Sequence, residues 1–436
     1  MVMENRYDKY KDSGIAWIGE IPEHWNIGYV GKYLNEVSNR NTSQKETNTL
    51  QFKMGEIISK SDGNSKYNPE SIESYNIVYP DTIMINGLNL SFDFISQRVA
   101  LVREQGAITS AYLAMKPNDN CSPNYITYLF KSYDYKKVFH ALGKGLRATL
   151  NYNIIRNELI VLPSLSEQQS IATYLDQKCG EIDELITLQE EMITKLQSYK
   201  QSVITEAVTK GLDKNVPLKD SGIEWIGEIP EHWEASKTLF NLSMPITDGP
   251  HTTPELFEIG IPFVSAEAVS FGNGRIDFSR IRGYISENFY QECCKKYVPQ
   301  VDDIYMIKSG ATTGRVAIVD TDIKFTIWSP LAVFRCNKER MLPRFLFYQL
   351  QSNGYQKQIE LNWSYGTQQN IGMRTLEKLI LSVPPLSEQQ SIADYLDQKC
   401  SEIDELISIK QQKIEKLKDY KKSLIFECVT GKRKVS

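Results

Sequence analysis

Residues 165–186 read LSEQQSIATYLDQKCGEIDELI and residues 386–407 read LSEQQSIADYLDQKCSEIDELI, the same at 20 of 22 positions. Proline precedes each block, at Pro163 and at Pro384-Pro385, and proline disfavours helix in the residue before it. Ser166 and Ser387 then open S-E-Q-Q, the pattern of a capping box. In it the serine caps one amide and Gln169 or Gln390 reaches back. From there no proline occurs before Gly211 or Gly431. The spacing predicts two long helices, each about 65 Å at a rise of 1.5 Å per residue. In both, a stripe at 3–4 spacing is apolar at five of seven positions. The first runs through Ile182, Ile186, Ile193, Leu196 and Val203, with Gln189 and Lys200 among them. The second runs through Ile403, Ile407, Ile414, Leu417 and Leu424, with Lys410 and Lys421. Two such helices in one chain pack most simply on each other as a coiled coil. The other arrangement the stripe allows is two amphipathic helices, each on its own domain.

A second duplicated block lies upstream of each helix. DSGIAWIGEIPEHW (12–25) returns as DSGIEWIGEIPEHW (220–233), identical at 13 of 14 positions. Between the blocks lie two bodies that differ widely. Residues 81–85 and 98–102 read as strands, as do 303–307 and 315–319. RVALV matches RVAIV, and Asp81-Thr-Ile matches Asp302-Asp-Ile, so the bodies share a fold. Each continues into a helical stretch, 123–140 or 343–360, and a glycine-led polar segment, 145–153 or 366–374.

With 436 residues, the chain has room for two to four domains. A 41% hydrophobic content and 24% charge are ordinary for a globular protein. No apolar run suggests a signal peptide or a membrane span. Seven cysteines without a CxxC pair fit reduced thiols and a cytoplasmic location. The net charge of −4 does not advertise nucleic-acid binding. Residues 166–213 hold 4 basic against 9 acidic side chains, whereas the rest is close to neutral. Any grip on DNA would come from local patches, or with basic partners alongside.

A catalytic set is missing. Of the four histidines, His24 and His232 are repeat mates with a structural reading, and His140 and His251 are isolated. No HExxH or other metal-ligand spacing occurs. GKGLRA (143–148) lacks the preceding strand and following acid of a dinucleotide site. SGATTGR (309–315) lacks the G-K-[ST] of a phosphate loop. No Asn-Pro-Pro-aromatic tetrapeptide of an amino-methyltransferase is present. This favours recognition or scaffolding over chemistry.

Three segments suit DNA. KSGATTGR (308–315) sits between two predicted strands and offers Lys308, Ser309, Thr312, Thr313 and Arg315 around two glycines. Such a loop can approach a backbone closely and place hydroxyls near base edges. It also reads as an ordinary hairpin connection with solvated charges. WSYGTQQN (363–370) offers Tyr365, Thr367, Gln368 and Gln369; Gln and Asn can pair bidentately with adenine. Its mate GKGLRATLN (143–151) carries Lys144, Arg147, Thr149 and Asn151 instead, a guanine or phosphate chemistry. A polar loop before a helix is the plainer reading of both. TDGPHTTP (247–254) supplies His251 and Thr252, as contact or as a rigid turn.

These residues resemble the specificity subunit of type I restriction–modification enzymes. The resemblance rests on the doubled PxLSEQQSIAxYLDQK blocks, the doubled DSGIxWIGEIPEHW, DGPHTTP followed by GIPFVS, and DDIYMIKSGATTGRVAIV (302–319). It covers essentially the whole chain. It implies an α+β architecture of two pseudo-repeated mixed α/β target recognition domains, 1–164 and 214–385. These are joined by two long spacer helices, 165–213 and 386–436, packed as an antiparallel coiled coil. It implies that each domain reads one half of a split, asymmetric site in double-stranded DNA. The spacers would fix the gap and dock two modification subunits, and restriction subunits through them. Catalysis would belong to those partners, which would carry S-adenosylmethionine, ATP and magnesium; this chain would bind none of them. One departure stands out: after MIN the first body reads GLNLSFDFISQ (87–97), not a GATTGR-like turn.

Elementary geometry is compatible. A duplicated chain gives pseudo-two-fold symmetry, suited to two copies of one partner. Half-sites about one turn, roughly 34–36 Å, apart face the same side of the duplex. Matched four-residue insertions near Leu196 and Leu417 are expected to widen the gap by about 2 base pairs. The chief alternative is a stand-alone DNA binder, a repressor or decoy, against which the acidic first helix argues mildly. An enzyme with its own active site and a bare helical scaffold are the others.

Overall fold

In the computed structural model, which describes residues 6–60, 72–90, 97–143, 148–365 and 368–435, the two long helices span Leu165–Lys210 and Leu386–Val429. All fourteen stripe positions are buried or half-buried, while most residues between them are exposed. The period read from sequence is therefore the period of burial. Gly211 and Gly431 follow the helix ends at φ +77° and +70°, the left-handed conformation that ends many helices and suits glycine. The capping-box expectation is corrected. Both helices start one residue earlier, so Ser166 and Ser387 lie inside the first turn and bond neither amide. Ser164 Oγ caps the first helix by accepting from Glu167 N at 3.3 Å. The second has Pro385 there, whose carbonyl accepts from Glu388 N at 2.9 Å. Proline at that position leaves no side-chain oxygen to cap with.

The chain divides into two units, Met1–Glu190 with Gln412–Ser436, and Glu191–Gln411. Each unit thus contains one body, the start of the helix after it and the end of the other long helix.

In the first unit the opening block forms an antiparallel hairpin, Tyr10–Asp12 on Glu20–Pro22, and buries Trp25 completely. A four-stranded antiparallel sheet follows in the order Leu34–Glu36, Leu113–Pro117, Ile83–Ile85, Val99–Leu101. Helix Pro123–Tyr135 packs on it, begun by Ser122 Oγ, which accepts from Tyr125 N. The expected helix 123–140 is broken at Lys137, whose φ is +59°, and resumes at Val138–Leu142. Strand Leu159–Leu162 pairs with Asn26–Tyr29 and leads into the long helix. One core joins the sheet, Ile171, Leu175, Cys179 and Ile182 of the first helix, and Leu424, Ile425 and Cys428 of the second. Asp183 meets Lys421 Nζ at 2.6 Å. Tyr125 OH donates both to Val161 O, just before the first helix, and to Val429 O, at the end of the second, so the segments run antiparallel.

The second unit repeats this frame. Its hairpin is Leu218–Asp220 on Glu228–Pro230, with Trp233 buried. Its sheet has the same order: Thr247–Asp248, Leu331–Phe334, Ile304–Ile307, Val316–Ile318. Strand Ile380–Val383 pairs with Glu234–Lys237. Ser382 Oγ donates to Val208 O at 2.6 Å, and Lys200 Nζ meets Asp404 at 2.7 Å. Advancing from 382 to 404 thus retreats from 208 to 200, again antiparallel. The decoration differs. Here a sheet of Ile261–Val264, Tyr284–Ile285 and Thr326–Ile327 is added. The first unit has instead a hairpin, Leu50–Lys53 on Glu56–Ser59.

The two duplicated sequence blocks meet in both units. Glu167 Oε1 accepts from Tyr7 OH at 2.6 Å and from Trp25 Nε1 at 3.1 Å, and His24 Nε2 lies 3.0 Å from Oε2. Glu388 receives Trp233 Nε1 at 3.0 Å and faces His232 Nε2 at 2.7 Å. The next glutamines, Gln168 and Gln389, accept from Ser122 N and Leu342 N. S-E-Q-Q and PEHW therefore act as one clasp between body and helix, and the paired histidines belong to it.

Candidate nucleic-acid interface

In the second unit, three segments far apart in sequence converge. Loop 308–315 leaves the central strand Ile304–Ile307, closes on Val316–Ile318 and satisfies itself. Gly314 N donates to Ile307 O at 2.8 Å, and Thr313 N and Oγ1 both donate to Gly310 O. Hairpin Ser364–Tyr365 on Gln369–Asn370 docks against it. Gly310 N donates to Gln369 O at 3.0 Å and Ile371 N to Lys308 O at 2.9 Å. The turn 247–254 joins through Asp248, whose carboxylate lies 3.3 Å from Lys308 Nζ and 3.2 Å from His251 Nε2. Lys296 meets the same carboxylate.

The predicted side chains fall as follows. Lys308 is mostly covered, with 14% of its side chain exposed. Ser309, Thr312, Thr313 and Gln369 are half-buried, whereas His251, Thr252, Arg315 and Gln368 are exposed. Thr312 Oγ1 accepts from Ser270 Oγ at 3.0 Å, and Arg315 donates to Ser270 O at 3.0 Å. Tyr365 lies on the hairpin, and Thr367 lies outside the described residues. Around these, Arg282 stacks 4.1 Å over Trp328. The surface combines exposed hydroxyl, amide and cationic groups on a rigid sheet, the chemistry that phosphates and base edges require.

The first unit holds its equivalent loop differently. Leu150 N donates to Gly87 O at 2.9 Å and Leu90 N to Ala148 O at 3.0 Å, the same docking as Ile371 and Gly310. Arg98, 5% exposed, reaches back under the loop. It donates to the carbonyls of Asn86 at 2.8 Å, Leu88 at 2.7 Å and Asn89 at 3.3 Å. Lys144 and Arg147 lie outside the described residues. Thr149 is half-buried, and Asn151 caps the turn Tyr152–Ile155 by accepting from Ile154 N at 3.1 Å.

Sequence reading missed Asp248, Lys296 and Arg98. Asp248 stood in a quoted motif, beside a glycine that suggests a tight turn, but its partners lie 48 and 60 residues away. Among the described residues, no group of three or more His, Cys, Asp or Glu could hold a metal ion. Burial pushes the Cys293 thiol up, away from nucleophilic thiolate. No described helix is long and apolar enough to cross a membrane.

Residues 251–419 match the type I restriction modification DNA specificity domain. A Methanocaldococcus jannaschii protein named "Putative type I restriction enzyme MjaX specificity subunit" is 27% identical over 450 aligned positions, covering 100% of both chains. The MjaVIII specificity subunit of the same organism is 23% identical, covering 95% of this chain and 94% of that protein. The chain is similar from end to end to type I restriction specificity subunits. The fold agrees. A chain solved in work on complex assembly and conformational transition of the type I R-M system superposes with a TM-score of 0.68. It is 17% identical, and the match covers 94% of this chain and 98% of that one.

Proposed function

We propose that this chain is the DNA-recognition subunit of a type I restriction–modification enzyme and is not itself catalytic. Each unit reads one half of a bipartite asymmetric site. The helix pair sets the gap between halves and docks two adenine-N6 modification subunits, with restriction subunits bound through them. The observation that carries this reading is one frame built twice around different loop chemistry. A reader of two unlike half-sites needs a shared scaffold and separate contacts.

Docking draws support from a second stripe on the helices. Leu185, Leu188 and Tyr420 in the first unit, and Tyr199, Leu406 and Ile409 in the second, are 42–58% exposed. Leu185 and Leu406, Leu188 and Ile409, and Tyr199 and Tyr420 occupy equivalent places in the two repeats. Repeated exposed apolar residues at helical spacing suit helical partners of one kind, and weigh against a stand-alone binder. For the gap, the Lys200–Asp404 pair puts Leu196, one turn earlier, beside Ile407 rather than Leu417. Compensating insertions therefore belong at Leu196 and Ile407.

Exchanging residues 26–160 for the body of another specificity subunit tests the modular reading. The methylated motif should change in one half only. Change in both halves would contradict it.

A further inference from the structure

Asp248 ends the two-residue edge strand of the second unit and is 1% exposed. An isolated carboxylate buried that deeply is costly, so its partners matter. They come from three segments: the His251 imidazole of its own turn, Lys296 just past helix Glu287–Cys294, and Lys308 at the head of the 308–315 loop. One oxygen, Oδ2, accepts no hydrogen bond and is faced by Lys308 and His251. The surrounding backbone is fixed independently. At Gly249 an added Cβ would come within 2.0 Å of the Ile327 carbonyl oxygen, so only glycine lets the chain pass. Tyr297, next to Lys296, donates to buried Asp303, which also takes a bidentate bond from Arg335 at 2.7 Å. Lys308 N donates to Pro330 O at 2.8 Å. The spokes are thus anchored on separate elements, and Asp248 is where their side chains meet.

We infer that Asp248 is a positioning residue: it locks the 247–254 turn, Lys296 and the 308–315 loop into one arrangement for reading the second half-site, without contacting a base. This rests on the DNA-recognition reading above. Because one carboxylate gathers two lysines and an imidazole, the cluster retains positive charge. Neutralising Asp248 frees the lysines and adds net positive charge at the same spot. Affinity and specificity should therefore separate. Non-specific binding follows phosphate contacts and salt, whereas discrimination follows placement of side chains at base edges.

The test uses the full chain with its modification partner. Methylated motifs are mapped and salt-dependent DNA binding is measured for the native chain, Asp248→Asn and Lys296→Met. In Asp248→Asn, discrimination at the second half-site should fall about tenfold or more, the first should be unchanged, and the salt slope of non-specific binding should be as steep or steeper. Lys296→Met, which leaves the carboxylate in place, should relax the same half more weakly. Unaltered stringency in Asp248→Asn would overturn the inference. Equal loss at both half-sites would also overturn it, since that is damage to folding. Absence of any split motif with the native chain would instead refute the DNA-recognition reading.

Discussion

Arg98 and Arg315 are the same residue of one repeated frame, each opening the R-V-A-[LI]-V strand that follows the central strand. Their fates are opposite. Arg98 is buried beneath its loop and satisfies three backbone carbonyls. Arg315 is exposed and meets a single carbonyl, that of Ser270, outside its loop. Asn86, Leu88 and Asn89 present carbonyls that Arg98 meets, whereas in the glycine turn Gly310 O is met by Thr313 and Gly314 O by Gln356, and Arg315 reaches out to Ser270 O. Both loops nevertheless dock on the segment before the helix through matching backbone bonds. Position is set by backbone, and chemistry is left to side chains. That separation is what lets one duplicated scaffold support two unlike surfaces.

The comparison can be broken or sharpened in four places. The largest effect is expected at the shared frame. Trp25→Ala and Trp233→Ala should each cost about 3–5 kcal/mol, read as loss of stability in urea unfolding. A cost confined to one of them would show that the two clasps are not equivalent. Next is Arg98→Met, which strands buried carbonyls and should cost about 2–4 kcal/mol. Arg315→Met should stay within about 0.5 kcal/mol, and equal costs would break the contrast. The clasp carboxylates come third. Glu167→Gln should cost about 1–2 kcal/mol, because three donors converge on a side chain with 19% exposure. Glu388→Gln should cost roughly half that, with two partners and 41% exposure. The smallest change in the chain itself is expected from Leu185→Ser with Leu406→Ser, within about 0.5 kcal/mol per site. Co-purification with the modification subunit should nonetheless be lost, and its retention would remove the docking role of that stripe.

Much of the frame was legible because it is periodic. The helical stripes needed only 3–4 spacing, and Ile83–Ile85, Val99–Leu101, Ile304–Ile307 and Val316–Ile318 announced themselves as short apolar runs between turn residues. What escaped was non-local or sterically local. The clasp of Glu167 by Trp25 joins residues 142 apart, and no period reports it. The end of the second helix, from residue 412 on, belongs to the first unit, a matter of topology rather than pattern. The capping box failed because each helix starts one residue before its serine, after Ser164 or Pro385, and helix 123–140 broke at a left-handed Lys137. At the candidate interface, the motif pointed to His251 and Thr252, while the group that gathers the cluster is the buried aspartate three residues earlier. Exposed polar residues were visible as a list; their organiser was visible only in space.

The most direct test of the central claim is to co-express this chain with its modification subunit and map N6-methyladenine across the host DNA. The expected result is a split motif with a fixed gap and two unlike halves, absent when this chain is omitted. A continuous or palindromic motif, or methylation that persists without the chain, would contradict it.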